Sequence, residues 1–391
     1  MIKRIIIIIF IMEQNNSFEK LSLNDDLIKG VYLYGFTQPS TIQIKGIEAI
    51  NTGNDCILQG QSGTGKTAMY LLGSLNRITK SNNNLGIIIT PTRELATQVY
   101  DVAAELSKFT NFNIVKCIGG TDVFQNKQEL KNSNLIIGTL GRINHMIQEK
   151  KINISKLNFF ILDEADELLS DGINDKLSFI LNTIPKDTQH IFISATITNE
   201  VFNASKQYMN NPTKVLLKNN EVIVDLIKQF YLDVENEEYK FDTLLDLYNL
   251  ISTSQAIIFC NTIRKVEWLE QNLKQNNFPI TVVHSNMTQE ERNITVQDFR
   301  EGHTRLLLTT DLLSRGIDIP QVNLVINYDL PPSKETYVHR IGRCGRFDKT
   351  GVAITMVKMQ DPNDIKIFNR MKYHYKITIK ELPMNIDSIL N

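Results

Sequence analysis

The sequence predicts two doubly wound α/β domains in tandem, each a parallel sheet covered by helices on both faces, joined by a short linker. Three observations predict it. Short, wholly apolar runs recur at helix-length intervals, which is how strands buried on both faces read. The runs form two series with a polar gap between them near residue 220. A length of 391 residues suits two or three domains rather than one.

In chain order, the opening "MIKRIIIIIFIME" puts Lys3 and Arg4 before an apolar stretch from Ile5 to Met12. It mimics a signal peptide but is too short to span a bilayer, and Glu13 to Asn16 follow where a small-residue cleavage site belongs. Residues 1–16 therefore read as an unstructured apolar leader. The first series of strands is "CILQ", "GIIITP", "NIVKCIG", "NLIIGT", "FFILDE" and "HIFISAT", within a domain expected over 17–217. "KNNEVIVD", Lys218 to Asp225, is the natural linker. A second domain over 226–391 carries "AIIFCN", "ITVVHS", "RLLLTTD", "LVINYDL" and "GVAITMV". The two halves share a rhythm and no evident sequence repeat.

Composition narrows the function classes. With 42% hydrophobic and 22% charged residues, this is an ordinary globular chain rather than a disordered one. A formal net charge of −1 gives no global pull on polyanions, so any nucleic-acid contact must be a local patch. Four cysteines, Cys56, Cys117, Cys260 and Cys344, are scattered without a CxxC pair, which argues against zinc and against a disulfide framework. The chain reads as reduced and intracellular.

Two stretches carry chemistry. "GQSGTGKT", Gly60 to Thr67, follows a strand and opens a helix, the context in which G-x-x-x-x-G-K-T is a phosphate-binding loop. The backbone N–H groups of Gln61, Ser62, Gly63, Thr64 and Gly65 can wrap phosphates, Lys66 can reach the outer ones, and Thr67 offers a hydroxyl to Mg²⁺. The second stretch is "FFILDEADELL", where a buried strand empties into Asp163, Glu164, Asp166 and Glu167. Crowding carboxylates there costs free energy through repulsion and lost hydration. A magnesium ion delivered with ATP resolves the conflict: Asp163 would hold it, largely through water, and Glu164 would orient or deprotonate the attacking water. Asp166 and Glu167 can also be read as solvated acids at a helix start, the reading preferred for Glu167. Far downstream, "YVHRIGRCGRFDK" supplies Arg340, Arg343 and Arg346 at three-residue spacing. The glycines between them suit arginines inserted at a phosphate, so the ATP site would be shared between the two domains.

Together these residues resemble the DEAD-box ATP-dependent RNA helicases, and within that family the translation initiation factor four-A group. The resemblance runs from Phe18 onward and includes "GFTQPSTIQ" (Gly35 to Gln43), "PTRELA" (Pro91 to Ala96), "GG" (Gly119, Gly120), "DEAD" (Asp163 to Asp166), "SAT" (Ser194 to Thr196), "FCNT", "TTDLLSRGID" and "HRIGRCGR". It implies two RecA-like domains. It further implies that Gln43 reads the adenine edge, whose donor and acceptor a glutamine amide matches, with Phe36 on the ring and Phe18 behind it. Asp318 would hold the ribose, and Arg343 and Arg346 would act on the γ-phosphate. Ser194 and Thr196 would couple the nucleotide site to domain closure, although alone they read as strand-end hydroxyls making local bonds.

The resemblance also implies RNA contacts to the sugar-phosphate backbone. They map to Arg93, Gly120, Thr139 and Arg142 in the first domain and to Gln289, Arg292 and Thr310 in the second. Such contacts read little sequence. Three positions depart from the family's pattern: Leu140 stands where a proline stiffens an RNA-binding loop, "HSN" (His284 to Asn286) replaces "HGD", and Ile263 replaces a basic residue. The expected protein is an RNA-dependent ATPase that unwinds short duplexes, using ATP and Mg²⁺. It would be a cytoplasmic monomer, with the nucleus as the alternative, making no membrane contact and relying on initiation-factor or ribonucleoprotein partners for targeting. The rivals are a DNA translocase and an RNA clamp that holds ATP without turning it over.

Overall fold

The computed structural model describes residues 17–60, 64–79, 85–170, 172–216, 227–250, 255–311, 322–344, 351–375 and 377–383. The leader and the expected linker at 218–225 lie outside them. The described chain falls into two compact units, one running to Leu216 and the other beginning at Ile227.

The first unit holds strands β1 (Cys56–Gln59), β2 (Leu85–Thr90), β3 (Ile114–Cys117), β4 (Leu135–Thr139), β5 (Leu157–Leu162), β6 (Gln189–Ser194) and β7 (Thr213–Val215). They form one sheet in the order β3-β4-β2-β5-β6-β1-β7, with every pairing parallel. Alternate side chains enter cores on opposite faces. Phe159 and Ile161 of β5 pack with the helices on one side, and Phe160 and Leu162 with those on the other. This two-sided burial is why the strands read as continuous apolar runs.

The second unit repeats the plan with β8 (Ile227–Asp233), β9 (Gln255–Phe259), β10 (Ile280–Val283), β11 (Leu306–Thr309), β12 (Val322–Asn327), β13 (Gly351–Val357) and β14 (Lys380–Glu381). Their order is β10-β11-β9-β12-β13-β8-β14, the order of the first sheet strand for strand. Ala256 and Ile258 of β9 face one core, Ile257 and Phe259 the other.

Short capped turns lead from strand ends into helices. Thr92, Thr198, Thr262 and Ser333 each cap the helix that follows by accepting a backbone N–H, the favoured use of a hydroxyl at that position. Strand C-termini and helix N-termini thus collect at one edge of each sheet, where ligands bind in doubly wound folds. The four cysteines are buried and unbridged. No helix among the described residues is long and apolar enough to cross a membrane.

Candidate active site and nucleic-acid interface

β1 ends at Gln59, and the Gly60 N–H donates to the carbonyl of Ser194 at 3.1 Å, tying the start of the phosphate loop to the end of β6. Gln59 Nε2 repeats the tie to Ala195 O at 3.0 Å. Gly65 takes φ +80°, a conformation that strains any other residue, and a Cβ there would stand 2.4 Å from Gln43 Nε2 and displace its amide. The helix Lys66–Thr79 opens directly behind it. Lys66 is 8% exposed. Its ammonium faces Glu164 Oε1 at 3.7 Å and makes no hydrogen bond among the described residues.

β5 ends at Leu162. The Asp163 N–H continues the ladder to Ile89 O at 3.0 Å, and the chain then turns sharply because Glu164 adopts φ 50° and ψ 53°. A non-glycine residue in this left-handed conformation stores strain, which concentrates at functional sites. The turn keeps both carboxylates buried, Asp163 at 3% and Glu164 at 4% exposure. Asp163 Oδ2 accepts from the Tyr70 hydroxyl at 2.8 Å, and Oδ1 accepts from the Glu164 N–H at 3.0 Å. Burial, then the neighbouring Glu164 charge, push the Asp163 carboxyl well above the usual range, while Lys66 and the Tyr70 hydroxyl pull it back. One lysine does not offset that cost, and a divalent cation would. An unbonded buried ammonium, a glycine at a positive φ in the loop before it and a carboxylate short of positive charge together fit a polyphosphate with its metal.

Asp166 is buried, which removes the alternative of a solvated helix-start acid for this residue. Its Oδ2 accepts from Thr196 Oγ1 at 2.5 Å, joining the acid turn after β5 to the turn after β6. Ser194 makes the local bonds expected of a strand-end hydroxyl: its Oγ donates to Thr196 O at 2.7 Å and accepts from Thr196 N–H at 3.3 Å.

Gln43 is buried. Its Oε1 accepts from Ser40 N–H at 2.8 Å within a capping box, and its Nε2 lies 3.4 Å from Gly65 O. The glutamine therefore braces the phosphate loop, with part of its amide already engaged. The Phe36 ring stacks on Tyr34 at 5.1 Å and leans on buried Phe18 at 6.3 Å.

The four first-unit RNA candidates come together at the C-terminal ends of β2, β3 and β4. Arg93 opens the helix after β2. Its guanidinium covers the Gly119–Gly120 turn so closely that a Cβ on Gly120, at φ +86°, would lie 2.9 Å from Nη1. Arg142 reaches the same turn, Nη2 donating to Thr121 O at 3.1 Å. Thr139 ends β4 in register with Thr90, and Leu140 begins a helix at once. "TLGR" is thus a strand end and a helical first turn, where a free loop was expected.

In the second unit Arg340 is fully buried and spoken for. It forks onto Asp311, Nε to Oδ1 at 2.6 Å and Nη2 to Oδ2 at 3.0 Å, and also donates to Asn261 Oδ1 at 2.7 Å and Asp329 O at 2.9 Å. Its guanidinium carbon lies 5.4 Å from the Phe259 ring centre. Arg340 thus binds together the ends of β9, β11 and β12, a correction to its grouping with phosphate-reaching arginines. Arg343, buried beyond the end of the helix Lys334–Ile341, donates to His339 O at 3.4 Å. Arg292 lies buried in the first turn of the helix Gln289–Arg300, and Thr310 follows β11. Gln61, Ser62, Gly63, Asp318 and Arg346 lie outside the described residues, as does the side chain of Gln289.

Residues 40–204 match the DEAD/DEAH box helicase family, and residues 239–348 match the helicase conserved C-terminal domain. Eukaryotic initiation factor 4A of Caenorhabditis elegans is 42% identical over 376 residues, 96% of this chain and 93% of the relative. The chain belongs to the DEAD-box helicase family. The ATP-dependent RNA helicase fal1 of Schizosaccharomyces pombe is likewise 42% identical, over 96% of this chain and 95% of its own length. Among solved structures, S. cerevisiae Dbp5 bound to RNA and ADP BeF3 superposes with a TM-score of 0.88 at 36% identity, covering 96% of this chain and 98% of Dbp5. Within this DEAD-box chain, two residues of the site were not singled out from sequence as functional: Tyr70, and Asp166 with its Thr196 bond. Each is joined to its partner across 93 or 30 residues of chain, and no local pattern announces such a pair.

Proposed function

We propose that this chain is an ATP-dependent RNA helicase that holds RNA by its backbone, hydrolyses ATP to ADP and phosphate, and locally opens short duplexes in translation initiation. The observation that carries the reading is the buried meeting of Lys66 with Asp163 and Glu164 at the mouth of β5, on a chain akin to RNA helicases along nearly all its length. Lys66 binds the outer phosphates, with the amides of Gln61, Ser62, Gly63, Thr64 and Gly65 around them. Thr67 and Asp163 are the residues that would hold Mg²⁺, which would neutralise phosphate charge. Glu164 takes the proton of the attacking water. Gln43, Phe36 and Phe18 form the adenine side, Asp318 the ribose contact, and Arg343 and Arg346 the positive charge on the γ-phosphate. Thr196 passes the state of the acid turn to β6 through Asp166, beside Ser194.

RNA would lie on Arg93, Gly120, Thr139 and Arg142, and on Gln289, Arg292 and Thr310. Residues 17–217 would be the ATP-binding domain, 218–225 the linker and 226–391 the C-terminal domain. A role in initiation puts the protein in the cytoplasm with partner proteins that direct it to its RNA.

The test compares single-stranded RNA with DNA of the same sequence as activator of ATP hydrolysis, alongside unwinding of a short RNA duplex. RNA should stimulate and DNA should not. Equal stimulation by DNA would favour a translocase, and RNA-dependent ATP retention without turnover would favour a clamp.

A further inference from the structure

The hydroxyl of Tyr70 has no part in the roles above. Tyr70 is fully buried, and it follows Thr67 by three residues on the helix Lys66–Thr79, so both side chains lie on one face. A buried phenol O–H is costly unless bonded. This one donates to Asp163 Oδ2 at 2.8 Å. The other carboxylate oxygen, Oδ1, takes the Glu164 N–H at 3.0 Å. One donor on each oxygen fixes the plane of the carboxylate.

We propose that Tyr70 is a positioning residue for the magnesium site, its hydroxyl holding the Asp163 carboxylate in one arrangement. The inference rests on reading Thr67 and Asp163 as the metal-holding pair. Phenylalanine would fill the same space, so the hydroxyl contributes direction rather than packing. Groups standing behind metal ligands set their orientation, and losing one typically costs 10- to 100-fold in metal affinity or activity.

The experiment uses the full chain with Tyr70→Phe and follows Mn²⁺ binding in the presence of ADP by electron paramagnetic resonance. Thermal melting and ADP affinity in EDTA are measured in parallel. The Mn²⁺ dissociation constant should rise roughly 10-fold or more while metal-free ADP affinity holds. Turnover with RNA should recover toward wild type as Mg²⁺ is raised. A lowered melting temperature with unchanged Mn²⁺ affinity would make the hydroxyl structural only and overturn the proposal. Tighter Mn²⁺ binding would also overturn it, because the hydroxyl would then compete with the metal for Asp163. If Asp163→Asn binds Mn²⁺ with ADP as tightly as wild type, the metal-site reading itself fails and the Tyr70 proposal falls with it.

Discussion

Arg340 and Arg343 stand three residues apart in one glycine-punctuated run, yet their surroundings separate them. Every bond of Arg340 goes to its own unit, to Asp311, Asn261 and Asp329. Removing it strands those partners. Arg340→Ala should destabilise the second unit by about 2–3 kcal/mol, below the 3–5 typical of a fully buried pair because Asp311 is 39% exposed. Denaturant melting checks this, and an unchanged midpoint with lost activity would return Arg340 to the phosphate. Gly120 makes the opposite case, a residue whose lack of a side chain is its role. At φ +86° beneath the Arg93 guanidinium, Gly120→Ala should cost about 1–2 kcal/mol in local strain and weaken RNA binding with ATP affinity unchanged, as read by paired titrations. Lys66, Asp163 and Glu164 stood out in the sequence because glycine, lysine and acid spacing there suits phosphate and metal, and the structure brings Lys66 to Glu164. The partners of Asp166 and Tyr70 did not, since those bonds exist only once β1, β5 and β6 lie side by side.

At the scale of elements, eleven strands among the described residues announced themselves as apolar runs, and three did not. β7 and β14 are short, at three and two residues, and lie at sheet edges, where pairing rather than burial defines a strand. β8, "IKQFYLD", is only intermittently buried, so its polar residues hid it although β13 and β14 flank it. The turn from β4 into its helix makes a further test. Leu140 occupies the first helical position, where a missing N–H breaks no helical bond and proline is favoured. Thr139 before it is extended at φ −94°, ψ 148°, as a residue preceding proline must be. The side chain of Leu140, however, packs against the core. Leu140→Pro should therefore leave melting within about 1 kcal/mol, backbone gain offsetting lost packing, and shift RNA affinity by less than about twofold. A tenfold change in either direction would mean that the first turn differs from a regular helix start.

The whole molecule is one plan used twice. Both sheets share a strand order, although the sequence carried only a common rhythm, because topology constrains where apolar runs fall and not which apolar residue fills them. The two units carry different residues: Lys66, Asp163 and Glu164 lie in the first, Arg340 and Arg343 in the second. If hydrolysis draws on both, Arg343→Ala or Arg346→Ala should lower turnover by about 10³-fold without moving the melting of the first unit. RNA-stimulated ATPase near wild type in both variants would confine the chemistry to the first unit. The central claim is that the buried Glu164, turned into a left-handed conformation at the end of β5, takes the proton of the attacking water. Steady-state ATP hydrolysis with saturating RNA, measured for wild type and Glu164→Gln beside ATP affinity, tests it most directly. Turnover should fall by about 10²-fold or more with ATP binding retained, and turnover within a few-fold of wild type would contradict it.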